Sequence, residues 1–221
     1  MVWAIAMKRI KEFFGQETPR KWLFYGDSIT HGALHTYGHR DYVELFAERV
    51  RFEMGRVSDL VITSAISGDN TRGLLSGFEW RVAQFKPDAV FVMIGMNDCS
   101  EGNDISLAEF RENLDRLTGM IGDLCSIPVL QTTCPILPNL APDRSPYFDG
   151  FMDAIREVAV DRDVPLIDHT RFWLEHSDSH FYWMSNEFHP NHHGHLAFAK
   201  LIYEELGIWD PASASCRFFL P

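Results

Sequence analysis

Five short apolar runs separated by stretches of helical periodicity constrain this chain more than any other feature of its 221 residues. The runs are Trp22 to Tyr25, Leu60 to Thr63, Ala89 to Ile94, Pro128 to Gln131 and the weaker Pro165 to Ile167. None alternates regularly between apolar and polar positions, which predicts strands buried on both faces, as in a parallel sheet. Between them, Asp41 to Phe52 places Tyr42, Leu45, Phe46 and Val50 at three- and four-residue steps. Leu107 to Leu124 does the same with Phe110, Leu114, Leu117 and Ile121, and Phe151 to Val160 more briefly. Stripes of that period predict helices with one buried face.

The βαβαβ alternation is sustained without a Gly/Ser-rich linker, an internal repeat or a low-complexity tract. It predicts one doubly wound α/β domain over residues 1–221, with helices on both faces of the sheet. Residues 1–20 are expected to add an amphipathic helix, Met1 to Phe14, before the first strand. Residues 210–221 form a tail whose Phe218, Phe219 and Leu220 can pack on the body or on a second subunit, so a homo-oligomer stays open. In this architecture ligands bind beyond the carboxyl ends of the strands, and reactive groups are expected just after the apolar runs.

Composition removes several classes of function. A net charge of −11 repels phosphate backbones and anionic lipid surfaces, so nucleic acid is not an expected partner. The longest apolar run, Ala89 to Met96, is far shorter than the roughly 18 residues that span a bilayer. Val2 to Met7 precedes the basic Lys8, Arg9 and Lys11, the reverse of a secretory leader, and the expected location is cytoplasmic. Cys99, Cys125, Cys134 and Cys216 include no Cys-x-x-Cys pair and are expected to be reduced thiols. Cys99 reads as a small buried hydrophobe rather than a nucleophile.

Three consecutive strand ends carry polar groups suited to acyl transfer. After the first run comes Gly26-Asp27-Ser28-Ile29-Thr30; a serine at a strand-to-helix junction exposes its hydroxyl, with its N–H at the positive end of the following helix. Asp27 or Ser28 can equally serve as a helix cap. After the second run, Gly68 lets backbone approach a ligand and offer its N–H. After the third, Gly95-Met96-Asn97-Asp98 sets an amide side chain on the same rim, where it can also act as a turn residue. Near the C-terminus stands Asn186-Glu187-Phe188-His189-Pro190, followed by a helix running to about Glu205 with Pro190 in its first turn. His189 at the entry of that helix is the natural general base for Ser28.

This ordered set resembles the SGNH hydrolase superfamily, the GDSL-type esterases and lipases. Its four blocks are matched by Ser28 within Gly-Asp-Ser, by Gly68, by Asn97 within Gly-x-Asn-Asp, and by His189 before Pro190. The resemblance implies a three-layer α/β/α sandwich with a mostly parallel, flavodoxin-like sheet of five strands. It implies ester hydrolysis without a cofactor, on small-molecule esters with short acyl groups, lipids or acylated sugars. It also implies roles: Ser28 as nucleophile, with the Ser28 N–H, the Gly68 N–H and the Asn97 side chain as the oxyanion hole.

One block departs from the family. Asp-x-x-His is usual, and here Asn186 holds the acid position. A carboxylate there fixes the imidazole tautomer and stabilises the imidazolium; an amide oxygen can accept the Nδ1 proton but carries no charge. Three accounts follow: Asn186 or a nearby carbonyl orients His189, or Glu187 or Asp178 fills the vacancy, or the site is slow or inactive. The first is favoured because nucleophile and base are both in place. The alternative function is a non-catalytic binder of acylated sugar or lipid, with aromatics of the connections Cys134 to Gly150 and His169 to Phe188 as its surface or, equally, as core. Clustered His189, His192, His193 and His195 lack a metalloprotease motif and neighbouring cysteines, and no metal is expected. Nucleotide fingerprints are also missing.

Overall fold

Trp22, Leu23, Phe24 and Tyr25 are all buried to the last atom, as are Ala89, Val90 and Phe91 beside them, so the two strands they form lie at the centre of a covered sheet. The computed structural model describes residues 3–217, with side chains from residue 6 onward. Its elements are α1 (Trp3–Phe14), β1 (Lys21–Gly26), α2 (Ser28–His31), α3 (Tyr42–Ala47), β2 (Leu60–Thr63), α4 (Thr71–Arg81), β3 (Ala89–Met93), α5 (Leu107–Asp123), β4 (Ile127–Gln131), α6 (Ser145–Asp161), β5 (Leu166–Ile167), α7 (His169–Glu175) and α8 (His192–Leu206). The five strands pair in parallel in the order β2-β1-β3-β4-β5. Helices α4, α5 and α6 pack on one another, and α8 gathers α1, α3 and α7, which makes the two helical layers of an α/β/α sandwich. The sheet is wholly parallel, where the resemblance implies a mostly parallel one. The chain order reverses between β1 and β3, and a crevice at such a switch point is where this architecture takes its ligands.

All five apolar runs are strands, but β2 is not buried on both faces. It is the sheet's edge, and Leu60 is half exposed. A run of four β-branched and aliphatic residues reads alike at an edge and in a centre, because periodicity reports strand propensity rather than neighbours. The helix expected over Asp41 to Phe52 is α3 continued by a π-helical turn, Glu48–Glu53. Asp41 caps it, accepting from the Val43 and Glu44 N–H groups while the Glu44 side chain accepts from the Asp41 N–H.

Neither expected long connection is a plain loop. Helix α6 begins at Ser145 and takes Pro146 into its first turn, and residues 169–183 fold into α7 and a 3-10 segment, Ser177–Trp183. The aromatics divide accordingly: Phe172, Trp173 and Trp183 are core, whereas Phe181 and Tyr182 are exposed. The first helix is present as α1. Phe218, Phe219 and Leu220 lie outside the described residues. Among the described residues, no helix is long and apolar enough to cross a membrane, and the four cysteines are unpaired. Cys99 is buried with its thiol pushed up to about 12, the inert state of a core thiol.

Candidate active site

The last residue of β1 is Gly26, and the backbone there runs so close to β3 that a Cβ would collide with the Met93 carbonyl. The next residue, Asp27, is fully buried and caps α2 by accepting the Ile29 N–H at 2.9 Å. The capping role falls to Asp27, which leaves Ser28 as the first residue of a one-turn helix. Its hydroxyl is free to point elsewhere, and its N–H is one of the donors that a first turn leaves without an intrahelical partner. Helix α2 ends at Gly32, whose left-handed φ of 67° lets its N–H return to the Ser28 carbonyl.

Pairing of β1 with the chain after β2 continues past the strand, with the Ser64 N–H on the Phe24 carbonyl and the Ile66 N–H on the Gly26 carbonyl. The loop carrying Gly68 is therefore drawn alongside Ser28, and His31 of α2 meets Ser67 at 3.0 Å. Gly68 adopts φ 84°, a left-handed conformation that favours glycine. Among the described residues, no hydrogen bond engages the backbone N–H of either Ser28 or Gly68.

Asn97 does not bond its own backbone as a turn residue would. Its Nδ2 donates to the Asp69 carbonyl at 2.8 Å and lies 3.5 Å from Asp27 Oδ2. One amide hydrogen is thus committed, and the other has only a long, weak partner. Asp98 beside it takes the N–H and hydroxyl of Thr71 and so ties α4 to the β3 loop. Burial, reinforced by the nearby carboxylates of Asp98 and Asp69, pushes the Asp27 carboxyl up to about 7.

The fourth component arrives from far along the chain. Met184 and Pro190 form an isolated antiparallel bridge, and the Ser185 N–H bonds the His189 carbonyl at 2.8 Å, closing residues 184–190 into a tight loop. Pro190 therefore precedes α8 rather than opening it. Asn191 is the cap, accepting from His193 and Gly194 while its own Nδ2 holds the Tyr182 and Met184 carbonyls. Proline fixes φ equally well in an extended bridge and in a first helical turn, so the residue type could not separate the two.

Inside this loop the Asn186 side-chain oxygen accepts from the backbone N–H of Phe188 at 3.1 Å, from that of His189 at 2.8 Å, and lies 3.1 Å from His189 Nδ1. The other ring nitrogen, Nε2, lies 2.8 Å from Ser28 Oγ. Ser28, His189 and Asn186 are thus joined in one relay. Glu187 and Asp178, the two candidate acids, are not partners of the ring: no carboxylate hydrogen-bonds His189 among the described residues. Desolvation, together with the charges of His35 and Arg144, lowers the His189 pKa to about 4. The ring is neutral at pH 7, ready to accept a proton but with no anion to stabilise it afterwards.

Two neighbours of His189 carry no motif. His35 stacks on its ring at 3.7 Å between centroids and 10° between planes. Arg144 donates to the Met96 carbonyl and covers the Phe188 ring at 4.1 Å. Their spacing in sequence follows no period, and only the folded loops bring them here. A cavity of about 620 Å³ lies between α5 and α6, lined by Asp98, Cys99, Tyr147 and Phe151 among others; Ser28 and His189 lie outside it, on the open rim of the sheet.

Fold and comparisons together define a carboxylic ester hydrolase. The chain belongs to the GDSL-like lipase/acylhydrolase family, whose model matches residues 24–197. It is 27% identical over 211 residues to an acetylxylan esterase from Geobacillus stearothermophilus, covering 85% of this chain and 94% of that one. It is 28% identical over 148 residues to an arylesterase from Vibrio mimicus, covering 66% and 69%. It also aligns at 31% identity with an uncharacterized protein of Mycoplasma pneumoniae, but spans only 15% of that protein's length. Among solved structures, the lipase/acylhydrolase from Enterococcus faecalis superposes with a TM-score of 0.76 at 28% identity, covering 88% of this chain and all of that one. The Geobacillus acetylxylan esterase shares the fold with a TM-score of 0.74 at 22% identity, covering 88% and 97%.

Proposed function

We propose that the protein is a serine esterase that hydrolyses short-chain or O-acetyl esters, carried on small molecules such as acylated carbohydrates, through an acyl-enzyme. The observation that carries this reading is the 2.8 Å contact of Ser28 Oγ with His189 Nε2, with the Asn186 oxygen on the opposite ring nitrogen. In the first step Ser28 Oγ attacks the ester carbonyl while Nε2 takes the hydroxyl proton. The tetrahedral oxyanion is held by the Ser28 N–H, the Gly68 N–H and the second hydrogen of the Asn97 amide. Its collapse expels the alcohol, which leaves with the proton returned by His189. Water then repeats the sequence on the acyl-serine.

The acetyl preference is supported by the relative named an acetylxylan esterase. The dyad stands on the open rim and outside the cavity between α5 and α6, which suits a bulky alcohol carrying a small acyl group. One domain supplies every group in the reaction. The unpaired cysteines suit a reducing compartment, in keeping with action in the cytoplasm.

The test is covalent. A fluorophosphonate probe is expected to label Ser28 in the wild type, to leave Ser28→Ala unlabelled and to react far more slowly with His189→Ala. An unlabelled wild type would overturn the mechanism and favour a non-catalytic binder of acylated ligands, the reading that Asn186 in the acid position would then support.

A further inference from the structure

Residues 33–40, between α2 and α3, are held by three separate contacts against the histidine loop, residues 184–190, and the start of α8. His35 stacks on His189, the Tyr37 hydroxyl meets Ser185 Oγ at 2.8 Å, and His39 stacks on His192 at 4.2 Å. His35 and Tyr37 engage the loop and His39 the first residue of α8, while Thr36 between them is buried. The backbone is coiled to allow this: Gly32, Leu34, Tyr37 and Gly38 all have φ between 54° and 82°. Leu34 and Tyr37 have side chains that disfavour such angles, and the contacts of His35, Tyr37 and His39 on either side of these turns hold the segment in place.

We propose that residues 33–40 form a strap over the histidine loop, and that His35 is a positioning residue that keeps the His189 ring aimed at Ser28. The inference rests on Ser28 and His189 being the reacting pair. A carboxylate on Nδ1 would orient the imidazole through a charge-assisted hydrogen bond, and the neutral oxygen of Asn186 holds it less firmly. The contacts at Nδ1 and Nε2 both lie in the ring plane and leave the ring free to rock about the line that joins them. A parallel ring at 3.7 Å opposes that motion from one face and excludes water there. The strap thus supplies by packing part of what the missing charge would supply by electrostatics.

The stack also sets the charge beside the base. His35 faces the ring from the strap and Arg144 from the chain after β4; Ser28 and Asn186, its remaining polar partners, are neutral. Protonation of His35 therefore disfavours protonation of His189. Replacing His35 leaves Arg144 as the only cationic group acting on the ring among the described residues and moves the acid limb of activity to higher pH.

The experiment is steady-state hydrolysis of p-nitrophenyl acetate from pH 4 to 9 by the wild type, His35→Ala, His35→Phe, Tyr37→Phe and His189→Ala. His35→Ala is expected to lower kcat roughly tenfold with little change in KM, the mark of a misaimed base. His35→Phe, which keeps a flat ring but no charge, is expected to recover most of kcat. Both variants are expected to shift the acid limb of kcat/KM upward in pH. Tyr37→Phe removes one hydroxyl and leaves the fold intact, and is expected to lower kcat in the same direction by a smaller factor. Unchanged kcat and an unmoved acid limb in the His35 variants, with His189→Ala inactive, would overturn the strap and leave the dyad standing. Wild-type activity in His189→Ala would overturn the dyad and with it the role given to His35.

Discussion

The Asn186 amide oxygen, not its nitrogen, faces His189, and the backbone settles which: the same atom accepts the N–H groups of Phe188 and His189, which an amide NH₂ cannot do. An acceptor on Nδ1 requires that nitrogen to carry the ring proton. Nε2 is then the lone-pair nitrogen, at 2.8 Å from the Ser28 hydroxyl. Asn186 thus selects the tautomer that a base needs, without supplying the charge that would hold its conjugate acid.

Asn186→Asp adds that charge in place. The carboxylate is expected to keep all three hydrogen bonds, to raise the His189 pKa above its present value of about 4, and to raise kcat at neutral pH by about tenfold or more. The wild type should stay active to lower pH than the variant, since its base is protonated only as the pH falls towards about 4. Rate profiles from pH 4 to 9 for both proteins check this; a large loss of kcat in the variant would assign the amide a further role.

Asn97→Ala removes the amide donor from the rim. Loss of one oxyanion donor typically costs about 3 kcal/mol, a factor on the order of a hundred in kcat, with a smaller change in KM. Separate determination of kcat and KM, with thermal melting as a control for the lost Asp69 contact, decides whether Asn97 acts on the transition state or only on loop structure.

Asp27→Asn should stabilise the protein at high pH. The folded carboxyl is raised to about 7 by burial, so its favourable state is the protonated one, complete below the unfolded value near 3.8 and lost as pH rises through about 7. Asparagine caps a helix as well as aspartate does and carries no charge to bury. The variant's advantage in unfolding free energy is expected to grow by about 2–3 kcal/mol between pH 5 and pH 8. Denaturant melts at the two pH values measure it.

Gly26→Ala places a methyl group against the Met93 carbonyl, where neither backbone can yield without breaking the β1–β3 pairing. Overpacking of this kind costs typically 1–3 kcal/mol or more. Because Ser28 lies two residues on, fluorophosphonate labelling is expected to slow along with the fall in melting temperature.

Much of this was legible in the residues. Apolar runs located all five strands; polar types just after β1, β2 and β3 nominated Ser28, Gly68 and Asn97, because a parallel sheet presents its polar chemistry where each strand stops, and His189 was nominated from the helix entry near the C-terminus. The edge position of β2 was not legible, since Leu60 to Thr63 has the composition of a central strand. The extended Pro190 was not legible either, because the bridge to Met184 that determines it is tertiary. His35 left no signal: a stack depends on the left-handed turns at Leu34 and Tyr37, and ordinary side chains do not announce such angles.

Ser28, Gly68 and Asn97 follow adjacent strands of one sheet, whereas His189 rides on a separately closed loop whose internal bonds come from Asn186 and Asn191. The two halves can therefore change at different rates. The charge of residues 184–191 can be altered without rebuilding the platform that Ser28 stands on, so under the proposed mechanism the working acidity range of such a protein is adjusted at this short arm and at the two groups that face it, His35 and Arg144.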